Sequence, residues 1–462
     1  MALEQRIKRT WLDDTRVAVW GLGKSGVAAA QLLARRGYDV VASDTRDEAS
    51  LQSSLEGLDP AVEVVFGDNV IGDAQWVVTS PGLPPSLDIF KEAKRRAIPV
   101  VSEVELAYAF SDARWLGITG TDGKTTTTTL LGNMVAASDQ PGAVAGNIGT
   151  ALCSVVEDLA SRSLLVVEVS ANQLWTCHGV RTEAAAITNI AEDHVDYFVS
   201  EEQYEEAKCR LIAMQEGQGD AVLPSGNAPW KRRLLAEHPR SKVIEFGVGR
   251  PEGPTSHRAV YFEGGVGHWR HGEDEGIWCP DFEDSALIGP HNQANAACAA
   301  ALAWSAGLDW ESIEAGLMDT PALAHRMEWI AEVDQVAFID DSKATNAHAS
   351  WAGLQGVKGP LVAIVGGLDK GLKLDEWAKH VAHRAEAVVI TGAIEARMAS
   401  LFAKHPVSVH RAPSMDRAVQ MAKNVARPGS TVVLSPACSS YDRYANYRQR
   451  GRDFQDAVRR LR

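Results

Sequence analysis

Three times along this chain a short β-prone run halts at a glycine-rich turn and a helical pattern begins. RVAVW runs into GLGKSG and then VAAAQLLARRG at 16–37, and RWLGITG runs into TDGKTTTTTLLGNMV at 114–135. In the last third QVAFID, PLVAIVGG, AEAVVITG and STVVLSPA alternate with helical segments. A β-run that recurs across an intervening helix calls for a parallel sheet flanked by helices, so the chain is expected to be α/β throughout. At about 150 residues per domain, 462 residues predict roughly three such domains. We place the boundaries at 1–102, 103–322 and 323–462. Residues 216–288 are less periodic, with Gly and Pro between AVLP, VIEFGVG and AVYFEGG, and are expected to form a β-rich flap. NQANAACAAALAWSAGL predicts a helix of small residues.

Charge and cysteine usage exclude several classes. The formal net charge is −14 with no basic tract, which argues against a nucleic-acid surface. The N-terminal MALEQRIKRTWLDD has no apolar core and no run of about 18 apolar residues follows, so membrane insertion is not expected. Six scattered cysteines show no C-x-x-C pair and fit a reducing cytoplasm.

GITGTDGKTTTTT carries the strongest chemical signal. Backbone amides of Gly120, Thr121, Asp122 and Gly123 and the opening of the following helix would cradle phosphates. Lys124 would reach the outer phosphate oxygens, Thr125 could ligate Mg²⁺, and Thr126 follows it. The general phosphate-loop pattern wants glycine at 118, where this chain has Ile118, so the match is to a variant loop. Gly21, Gly23 and Gly26, with Asp44 ending the next strand, fit a dinucleotide-binding fingerprint, which alone would indicate an NAD-dependent oxidoreductase. A tight turn without a ligand is the plainer alternative.

Glu168 ends the apolar run LLVVEV, where burying a carboxylate is costly unless a cation compensates it. ITNIAEDHVDYF sets Asn189, Asp193 and His194 after another strand, and His194 could ligate a metal, although an isolated histidine is ordinarily just polar. Lys208 on the next helix has no role that its surroundings in the sequence assign. In the last third DDSKATN, GGLDKG and SPACSSYDRY each follow a strand. Lys343, Thr345, Lys370 and Ser440 could gather around a small dicarboxylate.

Taken together and in this order, GLGKSG with SDTR, SPGL (80–83), TGTDGKTT, GNIG, EVSANQL, TNIAEDHVD, GPHNQANA, AHRMEW, DDSKATN, GGLDKG and LSPACSSYDRYANYRQRG resemble the Mur ligases over nearly the whole chain. The last three motifs point to the branch that adds glutamate. The resemblance implies a Rossmann-like N-terminal domain, a central ATPase-type α/β domain with a phosphate loop, and a Rossmann-like C-terminal domain. It implies ATP-dependent addition of D-glutamate to UDP-N-acetylmuramoyl-L-alanine through an acyl phosphate, by a monomer that closes to exclude water. An L-glutamate-adding relative and a catalytically silent nucleotide-binding protein are the alternatives. Ser25, Asp44, Thr45 and Arg46 are then expected at the uridine diphosphate end and Asn147 nearer the muramoyl group. Thr125, Glu168, His194 and Lys208, the last carbamylated, are expected to hold two Mg²⁺ ions. Asn292, Asn295, Arg326 and Asp341 would line the rest of the nucleotide site, with Tyr441 and Tyr447 joining the glutamate loops. Two positions depart from the family pattern: Asp122 stands where asparagine is usual, and Asn172 where an aromatic residue is common.

Overall fold

The computed structural model describes residues 15–191, 197–198, 200–252 and 258–461. Three sheets follow one another along the chain. The first comprises β1 (Arg16–Trp20), β2 (Asp39–Asp44), β3 (Glu63–Phe66), β4 (Trp76–Thr79) and β5 (Val100–Ser102). It is parallel throughout, in the order β3-β2-β1-β4-β5. Its order reverses between β1 and β4, the place where open α/β sheets leave a crevice at the strands' carboxyl ends.

The second sheet has nine strands: β6 (Arg114–Thr119), β7 (Gly142–Gly146), β8 (Leu164–Glu168), β9 (Ala184–Ile187), β10 (Asp220–Pro224), β11 (Lys242–Val248), β12 (Arg258–Glu263), β13 (Val266–His271) and β14 (Asp274–Cys279). β6 lies between β8 and β9, and pairing is parallel from β7 across to β12. Every residue of β8 is buried, as expected for an apolar strand covered on both faces. The flap expected over 216–288 is not a separate body. β10 and β11 continue the parallel sheet around a helix at Pro229–Glu237, and only β12–β14 form antiparallel hairpins. The proline that reads as a breaker sits in the first turn of that helix, where its missing N–H costs nothing.

The third sheet comprises β15 (Glu328–Val333), β16 (Val336–Asp340), β17 (Leu361–Val365), β18 (Ala387–Ile390), β19 (Ser408–Arg411) and β20 (Thr431–Leu434), in the order β15-β16-β20-β17-β18-β19. Only the β15–β16 hairpin is antiparallel. The four expected strands are β16, β17, β18 and β20. The first two sheets belong to one compact unit, and the third, with residues 281–294, to another. The small-residue helix forms over Pro290–Ser305. Among the described residues no helix is long and apolar enough to cross a membrane, and no disulfide joins any of the six cysteines.

A buried carboxyl stands where the first sheet gives way to the second. Glu103 opens the helix Glu103–Ala109, and its Oε1 accepts the Cys153 N–H at 2.8 Å, while Oε2 is buried with no hydrogen-bond partner. Burial pushes its pKa from 4.5 up to about 7. The folded chain therefore binds a proton that the unfolded chain has released. The stability this supplies is complete below pH 4.5 and lost as pH rises through 7. The interval corresponds to about 3 kcal/mol. We predict that Glu103→Gln, which keeps the acceptor for Cys153 without the charge, stabilises the chain by roughly 1–3 kcal/mol at pH 8. The gain should vanish at pH 4.5; urea unfolding at both pH values tests this, and equal gains would contradict it.

Candidate active site

The loop after β6 is shaped by contacts only glycine permits. Gly120 and Gly123 have φ of +146° and +82°. A Cβ on Gly120 would lie 1.8 Å from Thr188 Oγ1, and one on Gly123 would lie 2.2 Å from Asn295 Oδ1. The end of β9 clamps the loop from the side. The Asp122 N–H donates to Asn189 Oδ1 (2.9 Å), and the Asp122 carbonyl accepts from Thr188 Oγ1 (2.6 Å) and Asn189 Nδ2 (3.1 Å). Thr121 N–H donates to the Asn189 carbonyl (3.0 Å). Lys124 Nζ donates to the carbonyls of Gly120 and Thr121, both at 2.8 Å.

The helix Lys124–Ala136 that follows carries five consecutive threonines, poor helix formers because of their branched Cβ. Packing holds it: Thr126, Thr127 and Thr128 are buried, and Thr129 Oγ1 donates to the Thr125 carbonyl at 2.8 Å. Thr125, at its first turn, is half-buried. Backbone amides at a helix start, with a lysine beside them, form an anion site.

Glu168 ends β8 on the neighbouring strand and is buried. Its Oε1 accepts from Asn147 Nδ2 at 2.8 Å, and its Oε2 is buried without a hydrogen-bond partner. A carboxylate oxygen left in that condition is costly, and a divalent cation would satisfy it. The donor set therefore fits Mg²⁺. Lys208, on the helix Glu201–Ala213, is also buried; its Nζ donates to the Gly120 carbonyl at 2.6 Å and lies 4.3 Å from the centre of the Tyr204 ring. Tyr204 in turn bonds Thr121 through their hydroxyls at 3.2 Å. Asp193 and His194 lie outside the described residues.

Asp44 ends β2 pointing inward. Its Oδ2 accepts from the Leu22 N–H (2.7 Å) and Arg46 Nη2 (2.7 Å), and its Oδ1 from the Arg46 N–H (2.9 Å) and Nε (3.0 Å). The Arg46 guanidinium and these bonds hold its carboxyl down at about 2. The carboxylate thus props the glycine turn. Ser25 is half-buried just inside the following helix, and Thr45 and Arg46 are exposed beside it in the sequence of the β2 loop.

In the other unit the loops after β16, β17 and β20 are bound together by Arg450, a residue the sequence reading quotes only within its motif. Its Nε and Nη2 donate to Ser342 Oγ (3.0 Å) and the Ser342 carbonyl (2.8 Å), and its Nη1 to the Cys438 and Ser439 carbonyls (2.9 and 3.2 Å). Burial pulls its guanidinium down to about 10. Lys343 Nζ lies 4.4 Å from the Tyr447 ring centre, and Leu368 N–H donates to the Ser439 carbonyl (2.8 Å). Ser440 is buried, Thr345 half-buried, and Lys370 and Tyr441 exposed; the structure brings their loops to one sheet edge without linking these four side chains to each other.

Asp341 is buried with its Oδ2 accepting from Ser435 Oγ at 2.9 Å, and desolvation raises its pKa to about 8. Beside it His325 Nδ1 meets Asp340 Oδ2 at 2.6 Å, with Gln455 donating to the same oxygen at 3.0 Å. Arg326 is half-buried next to His325. Asn292 is buried, its Nδ2 donating to the Ile288 carbonyl at 2.8 Å.

Three family models match in succession: the Mur ligase MurD-like N-terminal domain over 15–102, the Mur ligase middle domain over 118–303, and the Mur ligase glutamate ligase domain over 325–438. A protein of Chlorobium luteolum named UDP-N-acetylmuramoylalanine--D-glutamate ligase is 36% identical over 98% of this chain and 100% of its own. One of the same name from Shouchella clausii is 35% identical over 97% of each. Among solved structures, a pseudomurein peptide ligase type C from Methanothermus fervidus aligns over 97% of this chain and 100% of its own, with a TM-score of 0.60 and 17% identity. The UDP-N-acetylmuramate-alanine ligase MurC of Thermotoga maritima gives 0.57 and 15% over the same shares. At these identities the two structures speak for the fold.

Proposed function

Because the chain belongs to the Mur ligase family, we propose that it joins D-glutamate to UDP-N-acetylmuramoyl-L-alanine, converting ATP to ADP and phosphate, in peptidoglycan precursor synthesis. The observation that carries this is the end-to-end match to relatives bearing that activity in their names, 36% identical over 98% of the chain. The phosphate loop and the buried Glu168 supply the chemistry it needs.

In this reading the alanyl carboxylate attacks the γ-phosphorus of ATP, ADP leaves, and an acyl phosphate forms. The glutamate amine then attacks its carbonyl carbon, phosphate departs, and an amide remains. The loop amides of Gly120–Gly123 and the start of the Lys124 helix hold the phosphates, and Lys124 moves from the Gly120 and Thr121 carbonyls onto the transferring group. Thr125, Glu168, His194 and carbamylated Lys208 are the proposed ligands of two Mg²⁺ ions. When bound, Mg²⁺ offsets the charge on the phosphate oxygens.

Ser25, Asp44, Thr45 and Arg46 are assigned to the uridine diphosphate end, Asp44 through the turn it props. Asn147 is assigned to the muramoyl end, where its amide also orients Glu168. Thr126, Asn292, Asn295, Arg326 and Asp341 are assigned to the nucleotide. Lys343, Thr345, Lys370, Ser440, Tyr441 and Tyr447 are assigned to glutamate, whose two carboxylates call for cations and hydroxyls. We place the enzyme in the cytoplasm as a monomer.

Omission of each substrate in turn tests the reading. Phosphate release should require ATP, UDP-N-acetylmuramoyl-L-alanine and glutamate together. NAD reduction without phosphate release would instead support the oxidoreductase that the G-x-G-x-x-G spacing suggests.

A further inference from the structure

The turn Ser80–Leu83 after β4 is held from two sides. Toward the first sheet, Ser80 Oγ donates to the Gly21 carbonyl at 3.0 Å, and the Ser80 N–H donates to the Trp20 carbonyl at 2.9 Å, so the turn is fixed to the glycine loop after β1. Toward the second sheet, two side chains reach its backbone. Tyr197 OH donates to the Leu83 carbonyl at 2.9 Å, and Asn172 Nδ2 to the Pro81 carbonyl at 3.5 Å. Burial pushes the Tyr197 phenol up to about 12, which keeps it a donor at neutral pH.

Both side chains lead back to the phosphate-handling loops. Asn172 lies on the helix Ala171–Trp175, which begins three residues after Glu168 and is fixed by a capping box between Ser170 and Gln173. Tyr197 packs on Phe198 (ring centres 5.0 Å apart), and Phe198 on Tyr204 (5.5 Å). Tyr204 touches both Thr121 of the phosphate loop and Lys208. A continuous path of packed and hydrogen-bonded groups therefore joins the loop assigned to uridine diphosphate with the loop assigned to ATP.

We propose that Tyr197 and Asn172 are positioning residues that clasp the Ser80–Leu83 turn, setting the distance between the uridine diphosphate loop and the reacting carboxylate. The proposal rests on the ligase reading above. A UDP-linked substrate must engage both ends at once, whereas UDP alone meets only the first. Asn172 gives this chain a polar hold on the turn.

Tyr197→Phe removes the hydroxyl and leaves the aromatic packing, and Asn172→Ala removes the second tie. Loss of one such bond should raise KM for UDP-N-acetylmuramoyl-L-alanine about three- to tenfold. KM for ATP, the calorimetric affinity for UDP and Tm should stay unchanged. An unaltered substrate KM, or equal weakening of UDP and the full substrate, would overturn the clasp. Wild-type protein that releases no phosphate would instead fail the ligase reading. The clasp is then judged by hydrogen exchange at the Leu83 amide, which donates to the Ser80 carbonyl. Faster exchange in Tyr197→Phe supports it, and an equal rate refutes it.

Discussion

Replacing Lys124 by alanine is expected to lower kcat by about 10²- to 10³-fold while the protein stays folded, since removal of one well-placed donor to developing charge costs on that order. The ammonium is half-buried at the first helical position and bonds two loop carbonyls, so it stands where a phosphoryl group would meet the helix start. Alanine is a good helix former, and the glycine loop keeps the clamp from Thr188 and Asn189. The variant should therefore retain the near-UV spectrum and Tm of the parent. Near-normal phosphate release would remove the phosphate-loop assignment, and loss of Tm would make the defect one of folding.

Lys208→Ala is expected to cost at least about 100-fold in kcat/KM, the upper range seen when groups that organise a metal centre are removed. Two accounts of this buried side chain make opposite rescue predictions. As a carbamate it supplies negative oxygens to a metal, and formate or acetate should restore part of the activity. As an ammonium it acts through the bond to the Gly120 carbonyl and its place over Tyr204, and methylamine should restore it instead. We expect rescue by the carboxylic acids alone. Rescue by the amine alone would return Lys208 to a structural cation bracing the phosphate loop.

Local signals carried much of this molecule. The strand, glycine turn and helix at 114–136 stand where spacing predicts them, because φ near +82° at Gly123 and the helix start are properties of neighbouring residues. The hairpin of β15 and β16 escaped notice because its turn uses Asp334 and Gln335 at positive φ, with no glycine to mark it. Asp44 sits as in a dinucleotide fingerprint, and its oxygens accept from Leu22 and Arg46, partners that the spacing does not name.

What stayed illegible is non-local. Asn189 meets Asp122 across 67 positions, Arg450 meets Ser342 across 108, and Tyr197 meets Leu83 across 114. No periodicity within one element encodes such partners. Nothing in the local sequence marks Glu103 as a carboxyl that the fold buries against Cys153.

Addition of D-glutamate to a UDP-linked muramoyl-alanine stands or falls on stereochemical choice. Discrimination between enantiomers needs at least three fixed contacts on one amino acid. We propose that the loops carrying Lys343 and Thr345, Lys370, and Ser440 with Tyr447 supply them; Arg450 ties these loops together at their base. Product formation should be measured with ATP, UDP-N-acetylmuramoyl-L-alanine and each glutamate enantiomer at matched concentration. Product is expected with D-glutamate and none above background with L-glutamate; preference for L-glutamate, or no product with either, would overturn the assignment.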